Sequence, residues 1–200
     1  MPHVPMTRPL LPVPDALSLA ARHGTLMDQR RYSAEEATDR HSGSHRVCWV
    51  WDPLAHLHDP ANPACVAWSR GQQDVALHLL AGEIPALAAR LQTHRGLGLR
   101  VRTLWAPQSP RTPYQHYRAH ELNTHTRAGF DVRTVPAHLL RPSGPGHRLP
   151  PLVAYPDHAV YLLHHTAQGR PDGATRITDP GLLSALGAAL ARLGRAAEPL

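Results

Sequence analysis

Apolar and polar positions fall into repeating blocks from Gln73 onward, whereas the first 44 residues sustain no period. Asp74-Val75-Ala76-Leu77-His78-Leu79-Leu80 has the apolar, partly β-branched character of a buried strand. Gly82 turns the chain and Pro85 suits a first helical turn, where its missing N–H costs nothing. Ile84, Leu87, Ala88 and Leu91 then recur at helical spacing and predict a helix over 84–94, ended by Gly96 and Gly98. A strand is expected over 99–104, a loop with three prolines over 106–113, a helix over 114–128 and a third strand over 130–135. Leu152–Tyr155 and His158–Leu163, separated by Pro156-Asp157, predict a hairpin or two short strands. Asp179 can cap a last helix with Pro180 at its first position, and Leu182, Leu183, Leu186, Leu190 and Leu193 mark one face of it. Such a helix docks on a sheet or pairs with a second copy.

Upstream, Arg46–Trp51 predicts a short strand stopped by Asp52-Pro53. His56–Ser69, with prolines at 60 and 63, reads as loop in which Ala64–Trp68 is extended. Five prolines before residue 15 and a polar run from Asp28 to Ser44 predict a partly disordered extension, with Ala16–Met27 its one candidate helix. The expected organisation is an extension over 1–44, a strand and loop segment over 45–72, and an α/β domain over 73–198.

One phrase occurs twice: Gly98-Leu99-Arg100-Val101-Arg102-Thr103-Leu104 and Gly129-Phe130-Asp131-Val132-Arg133-Thr134-Val135, with the glycines 31 positions apart. A strand, a crossover helix and a parallel strand together take about 30 residues or more. The repeat therefore predicts two parallel strands, and the fold class expected is α/β with a mostly parallel sheet flanked by helices.

Composition changes this picture little. The 200 residues are 42% hydrophobic but include 21 prolines and 14 glycines, which dilute regular structure. No lysine occurs, so every fixed positive side-chain charge is arginine, a bias of the high-GC actinobacterial type. The net charge of +6 invites a nucleic-acid reading, since arginines release counterions from phosphate. The arginines are scattered, with Arg30-Arg31 the one adjacent pair, whereas a nucleic-acid surface shows a cluster or stripe. Cys48 and Cys65 form no disulfide framework and no Cys-x-x-Cys pair, which fits a reducing cytoplasm. No run approaches the roughly 20 apolar residues of a membrane span, and the proline-broken N-terminus carries no apolar signal core.

The order of elements, the paired Gly-x-x-Val-Arg-Thr phrases, Pro150–Asp157 and the closing Thr178-Asp179-Pro180-Gly181-Leu182-Leu183 helix resemble the phospholipase D-like fold. More narrowly, they are similar to the degenerate version in the effector half of TrmB-type and some LuxR-type bacterial transcriptional regulators. The resemblance covers roughly 73–198 and implies a domain that senses a small molecule and regulates transcription. Phospholipase D enzymes carry His-x-Lys, four residues, then Asp, with the histidine as nucleophile. If Asp157 is that aspartate, Leu152 stands at the lysine and Pro150 at the histidine, and neither can do the chemistry. The family's regulators also carry an N-terminal helix-turn-helix, for which no second helix is visible in Ala16–Thr38. The resemblance then implies either that the DNA reader has been lost or that a DNA-binding partner protein carries it.

Other constellations are weaker. His56-x-His58-Asp59 offers metal-ligand types in a proline-bracketed loop without a third partner. His116 and His120 share a helix face beside Glu121 but lack the internal glutamate of His-Glu-x-x-His. No Gly-x-Ser-x-Gly elbow occurs, and a Walker-type loop lacks its lysine. Arg100 and Arg102 project from one strand face and, with Arg133 and Asp157, are the candidate ligand-binding residues. The expectation is a non-catalytic regulatory domain that binds a small effector or a protein partner, as a homodimer and without cofactor or metal. The alternatives are a hydrolase with a non-standard His/Asp site and an arginine-rich DNA-binding accessory protein.

Overall fold

Eight strands form one sheet in a computed structural model that describes residues 21–136, 139 and 149–200. The strands are β1 (Thr25–Met27), β2 (Val47–Asp52), β3 (Arg100–Trp105), β4 (Asp131–Thr134), β5 (Leu152–Tyr155), β6 (Ala159–His165), β7 (Pro171–Ile177) and β8 (Glu198–Pro199). The helices among the described residues are α1 (Gln29–His41), α2 (Pro63–Ser69), α3 (Gln73–Gly96), α4 (Pro113–Arg127) and α5 (Pro180–Ala196). Strand order is β1-β7-β6-β5-β2-β3-β4-β8.

Side-chain alternation along the strands divides the core into two layers. On one face Trp49, Trp51, Leu104, Leu152, Val160 and Ile177 pack against Leu182, Leu183, Leu186 and Leu190 of α5. On the other, Val101, Val132, Val153, Tyr155 and Tyr161 meet Leu87 and Leu91 of α3, Leu122 of α4 and Tyr32 of α1. A satellite cluster of Ala64, Cys65, Leu80, Tyr114 and Tyr117 ties α2 to α3 and α4.

The repeated phrase is a helix stop followed by a strand start. Gly98 and Gly129 hold φ of +71° and +96°, the left-handed conformation glycine adopts without a Cβ penalty. At the end of α3 the Gly98 N–H donates to the Arg95 carbonyl and the Leu99 N–H to the His94 carbonyl, both at 2.9 Å. At the end of α4 the Gly129 N–H donates to Thr126 and the Phe130 N–H to His125, at 2.9 and 3.1 Å. Both are Schellman closures, with an apolar residue just past the glycine tucked into the core. The repeat also reaches further upstream than the glycines: Leu91-Gln92-Thr93-His94 matches Leu122-Asn123-Thr124-His125, again 31 residues apart. β3 and β4 pair in parallel with Arg102 opposite Asp131 and Thr103 opposite Val132, two residues out of step with the sequence alignment of the phrases. An even offset preserves which face each side chain takes.

The mostly parallel sheet is overturned. Only β2–β3 and β3–β4 are parallel; β1–β7, β2–β5, β4–β8, β5–β6 and β6–β7 are antiparallel, so the sheet is mixed and mostly antiparallel. The repeat marks β3 and β4, one of the two parallel ladders, and says nothing of β2 or of the meander β5–β6–β7, whose β7 is hidden in the sequence by its polar residues. The expected strand over 74–80 and helix over 84–94 are one helix, α3, with Pro85 inside it. In 74–80 only Ala76 and Leu80 are buried, while Val75, Leu77 and Leu79 are exposed, an i, i+4 pattern rather than a fully buried run.

The irregular N-terminal extension is also corrected within the described residues. Asp28 caps α1 by accepting the Arg31 N–H at 2.7 Å, and Arg31–Glu35 and Arg40–Glu36 pairs brace it at i, i+4. β1 occupies the end of the Ala16–Met27 segment whose residues before 21 lie outside the described ones. Ala64–Trp68 is helical, in α2, because Asn62 accepts the Ala64 and Cys65 N–H groups and Pro63 takes the first turn.

Candidate functional site

The inner face of α1 is polar, and the sheet beneath it supplies matching groups. Tyr32, Glu36, Asp39 and Arg40 recur at i, i+4, i+7 and i+8, one side of a helix. Period-two alternation places Cys48 of β2, Tyr155 of β5 and Tyr161 of β6 on the sheet face they meet, and pairing sets Arg176 of β7 beside Tyr161. His45 comes from the α1–β2 loop and His158 from the β5–β6 turn.

Two linked carboxylate centres result. The Tyr155 hydroxyl donates to Glu36 Oε1 at 2.8 Å, and Arg40 Nε donates to the same oxygen at 2.9 Å. The Tyr161 hydroxyl donates to Asp39 Oδ2 at 2.5 Å, leaving Oδ1 at 3.1 Å from His158 Nε2. Arg176 Nη2 lies 3.1 Å from the same His158 nitrogen, and its Nε lies 3.8 Å from Glu35. The His45 ring sits 4.7 Å from that of His158 and 5.1 Å from that of Tyr155. Asp39, His45 and His158 each offer a ligand atom, all within 4.8 Å of one another, and each residue is half-buried.

Burial governs the protonation of this region. It raises the phenols of Tyr155 and Tyr161, the latter also held protonated by its bond to Asp39. It lowers the His45 imidazole, aided by neighbouring His158. The Cys48 thiol, buried under Arg40 and Tyr155, is pushed up to about 11, a protonated and enclosed sulfur rather than a nucleophile.

His158 has a second neighbourhood. With Pro156 and Asp157 it walls an open cleft of about 450 Å³ whose other side is Thr178 and the first half of α5: Pro180, Leu183, Ser184, Gly187 and Ala188. One histidine thus joins the cleft on the α5 side to the Asp39 cluster beneath α1. At the opposite end of the sheet, Arg118 of α4 bridges Asp52 at the end of β2 and Glu121, both at 2.6 Å.

Of the residues expected to bind a ligand, Arg102 and Arg133 both pair with Asp131, at 3.2 and 2.9 Å, and Arg102 also stacks on Trp49 at 5.3 Å. Arg100 is exposed at the start of β3. Asp157 is exposed on the β5–β6 turn and contributes to the cleft, apart from the three arginines. Among the described residues, His56, His58, His116 and His120 join no group of three metal-ligand types; His120 instead lies 5.5 Å from the Trp68 ring. Sequence reasoning missed Glu36, Asp39, His45, His158 and Tyr161. The available signal was the polar i, i+4, i+7 stripe of α1, which reads as solvated until a polar sheet face is set under it.

A family model described as a domain of unknown function, DUF6879, matches residues 34–200. The chain belongs to the DUF6879 family. The matched segment begins within α1 and includes both halves of the Asp39–His158 cluster. No curated protein matches the sequence. Among solved structures there is a distant likeness, with a TM-score of 0.40 and 10% identity, to TrmBL2, described as an archaeal chromatin protein with a novel mode of DNA binding. It covers 93% of this chain and 60% of that one, so this DUF6879 chain spans less than two thirds of the other protein's length.

Proposed function

We propose that this DUF6879 domain is a non-catalytic regulatory module that binds a small polar effector in the cleft between the β5–β6 turn and α5. The observation that carries the reading is the position of His158, which faces the cleft and also touches Asp39 of α1. An occupant that engages His158 competes with Asp39 for it and so alters how α1 is held, which gives a ligand a differential interaction with two states of the helix. Thr178, Ser184 and Asp157 supply hydroxyl and carboxylate groups for orientation, while Leu183, Ala188 and Pro156 supply apolar wall. The non-catalytic half of the proposal is supported by the buried thiol of Cys48 and by Leu152, sealed in the α5-side core where a phospholipase D-like enzyme would carry its lysine. A role in transcription through a DNA-binding partner protein extends the same reading from the resemblance to regulator effector halves.

The test is amide NMR of the purified chain titrated with inorganic phosphate, a nucleoside monophosphate, a hexose phosphate and an amino acid. Saturable shifts at 156–158 and 178–188, carried on to Asp39 and lost in Asp157→Asn/Ser184→Ala, are the expected result. Shifts confined to other surfaces, or none with any probe, overturn the cleft as the effector site. Turnover of a chromogenic phosphodiester by wild type but not by His158→Ala overturns the non-catalytic reading.

A further inference from the structure

Asp39, His45 and His158 form the donor set that a divalent transition-metal ion takes: two imidazoles and one carboxylate. Ligand atoms around tetrahedral zinc, at about 2.0–2.2 Å from the metal, stand roughly 3.3 Å apart. Asp39 Oδ1 and His158 Nε2 are already at 3.1 Å. The third donor, His45, is within 4.8 Å of both and sits in the short connection between α1 and β2, where a closure of about 1.5 Å or less brings it to bonding separation. The outer arrangement fits as well. Tyr161 binds Asp39 through Oδ2, which orients the carboxylate and leaves Oδ1 facing the histidines, as partners behind metal ligands do.

We infer that these three residues constitute a zinc-class metal site that clamps α1 to the β5–β6 turn. One cation stands nearby: Arg176, whose Nη2 is 3.1 Å from His158 Nε2. A metal ion displaces that guanidinium, and Glu35, whose carboxylate is 3.8 Å from Arg176 Nε, receives it. The site therefore exchanges one cation for another, with Arg176 leaving His158 while keeping its existing pair with Glu35. Three protein donors leave a fourth position for water or an external ligand atom. The inference does not rest on the cleft binding an effector, and the Asp157 and Ser184 substitutions used above spare all three donors.

The test is calorimetric titration of Zn²⁺ into the chelator-treated full chain. One equivalent is expected to bind, about tenfold or more weakly in His45→Ala and in Tyr161→Phe, the scale seen when ligands or their supporting partners are lost. Arg176→Gln is expected to tighten binding several-fold, because the competing positive charge is gone. His56→Ala/His58→Ala serves as the control for the other histidine pair and is expected to bind as wild type. Asp39→Asn is expected to weaken binding in the same way, and should it fail to fold, His45→Ala, altered in a loop and verified by circular dichroism, carries the test. Unchanged affinity in His45→Ala, loss of binding in the His56/His58 control, or weaker binding in Arg176→Gln each overturns the inference.

Discussion

The same substitution, glycine to alanine, is expected to act with opposite sign at two helical positions. Gly82 lies inside α3 with nothing within 4 Å of where a Cβ would stand. Alanine there restricts the unfolded chain and favours the helix, a gain of about 0.5–1 kcal/mol. Gly194 lies near the end of α5, where a Cβ would come within 2.8 and 2.9 Å of the Trp49 ring. That ring is almost wholly buried and has the Arg102 guanidinium over it, so it has little freedom to yield. Overpacking a core of this kind costs about 1–3 kcal/mol. Set against the helix gain of up to about 1 kcal/mol, the net is a loss of up to about 2 kcal/mol. For a chain of this size each kcal/mol moves Tm by about 2–4 °C. Gly82→Ala should therefore raise Tm by a few degrees and Gly194→Ala lower it by a similar or larger amount in thermal unfolding, with the free-energy changes checked by urea denaturation at constant m. Trp49→Phe, itself destabilising, should reduce the penalty of Gly194→Ala in a double-mutant cycle. A stabilised Gly194→Ala, or a cycle with no coupling to Trp49, would refute the close approach of α5 to β2.

Arg118→Met leaves Asp52 and Glu121 without their shared cation in a mostly buried setting, and a loss of about 3–5 kcal/mol is expected by chemical denaturation. Adding Asp52→Asn should recover part of it, and two independent, additive losses would show that the bridge does not form. His94 is buried, has no hydrogen-bond partner on either ring nitrogen, and is lowered to about 4 by burial and then by Arg40 and Arg90. Its folded-state value lies below the ordinary histidine value near 6.5, so the unfolded chain binds more protons between these limits. The stability it contributes is present above about pH 6.5 and drains away as pH falls toward 4. His125, its counterpart in the repeat, is also lowered to about 4 and adds to the same slope. His94→Leu should flatten the stability profile between pH 6.5 and 4.5, and an unchanged slope would place the acid sensitivity elsewhere.

The sequence carried the local grammar of this chain. The two αβ junctions are legible because a left-handed glycine followed by an apolar residue closes a helix by contacts within six residues. The hairpin around Pro156-Asp157 and the Asp179-Pro180 start of α5 are legible for the same reason, since turn and cap chemistry need no distant partner. The Leu182–Leu193 stripe likewise announced a helix that packs on one side. Most readings that needed a partner failed. The apolar run 74–80 reads as a strand because period alone cannot separate a short apolar strand from part of a helix, and only the satellite core around Leu80 shows which face is covered.

Apart from the β3–β4 pair, strand direction belongs to tertiary structure alone, and so does the polar layer. A repeat of 31 residues argues for parallel neighbours, and β3 and β4 are such neighbours, yet short turns make β5–β6 and β6–β7 antiparallel, and β1–β7, β2–β5 and β4–β8 join antiparallel across long stretches of chain. α1 has no apolar stripe to announce it. Its carboxylates are held because Tyr155, Tyr161, His158 and Arg176, drawn from residues more than 110 positions away, present donors to Glu36 and Asp39 or stand within reach of their helix. Hydrogen bonding between buried polar groups has no period in the sequence of either partner, so the candidate site became visible only when the fold set one polar face on another.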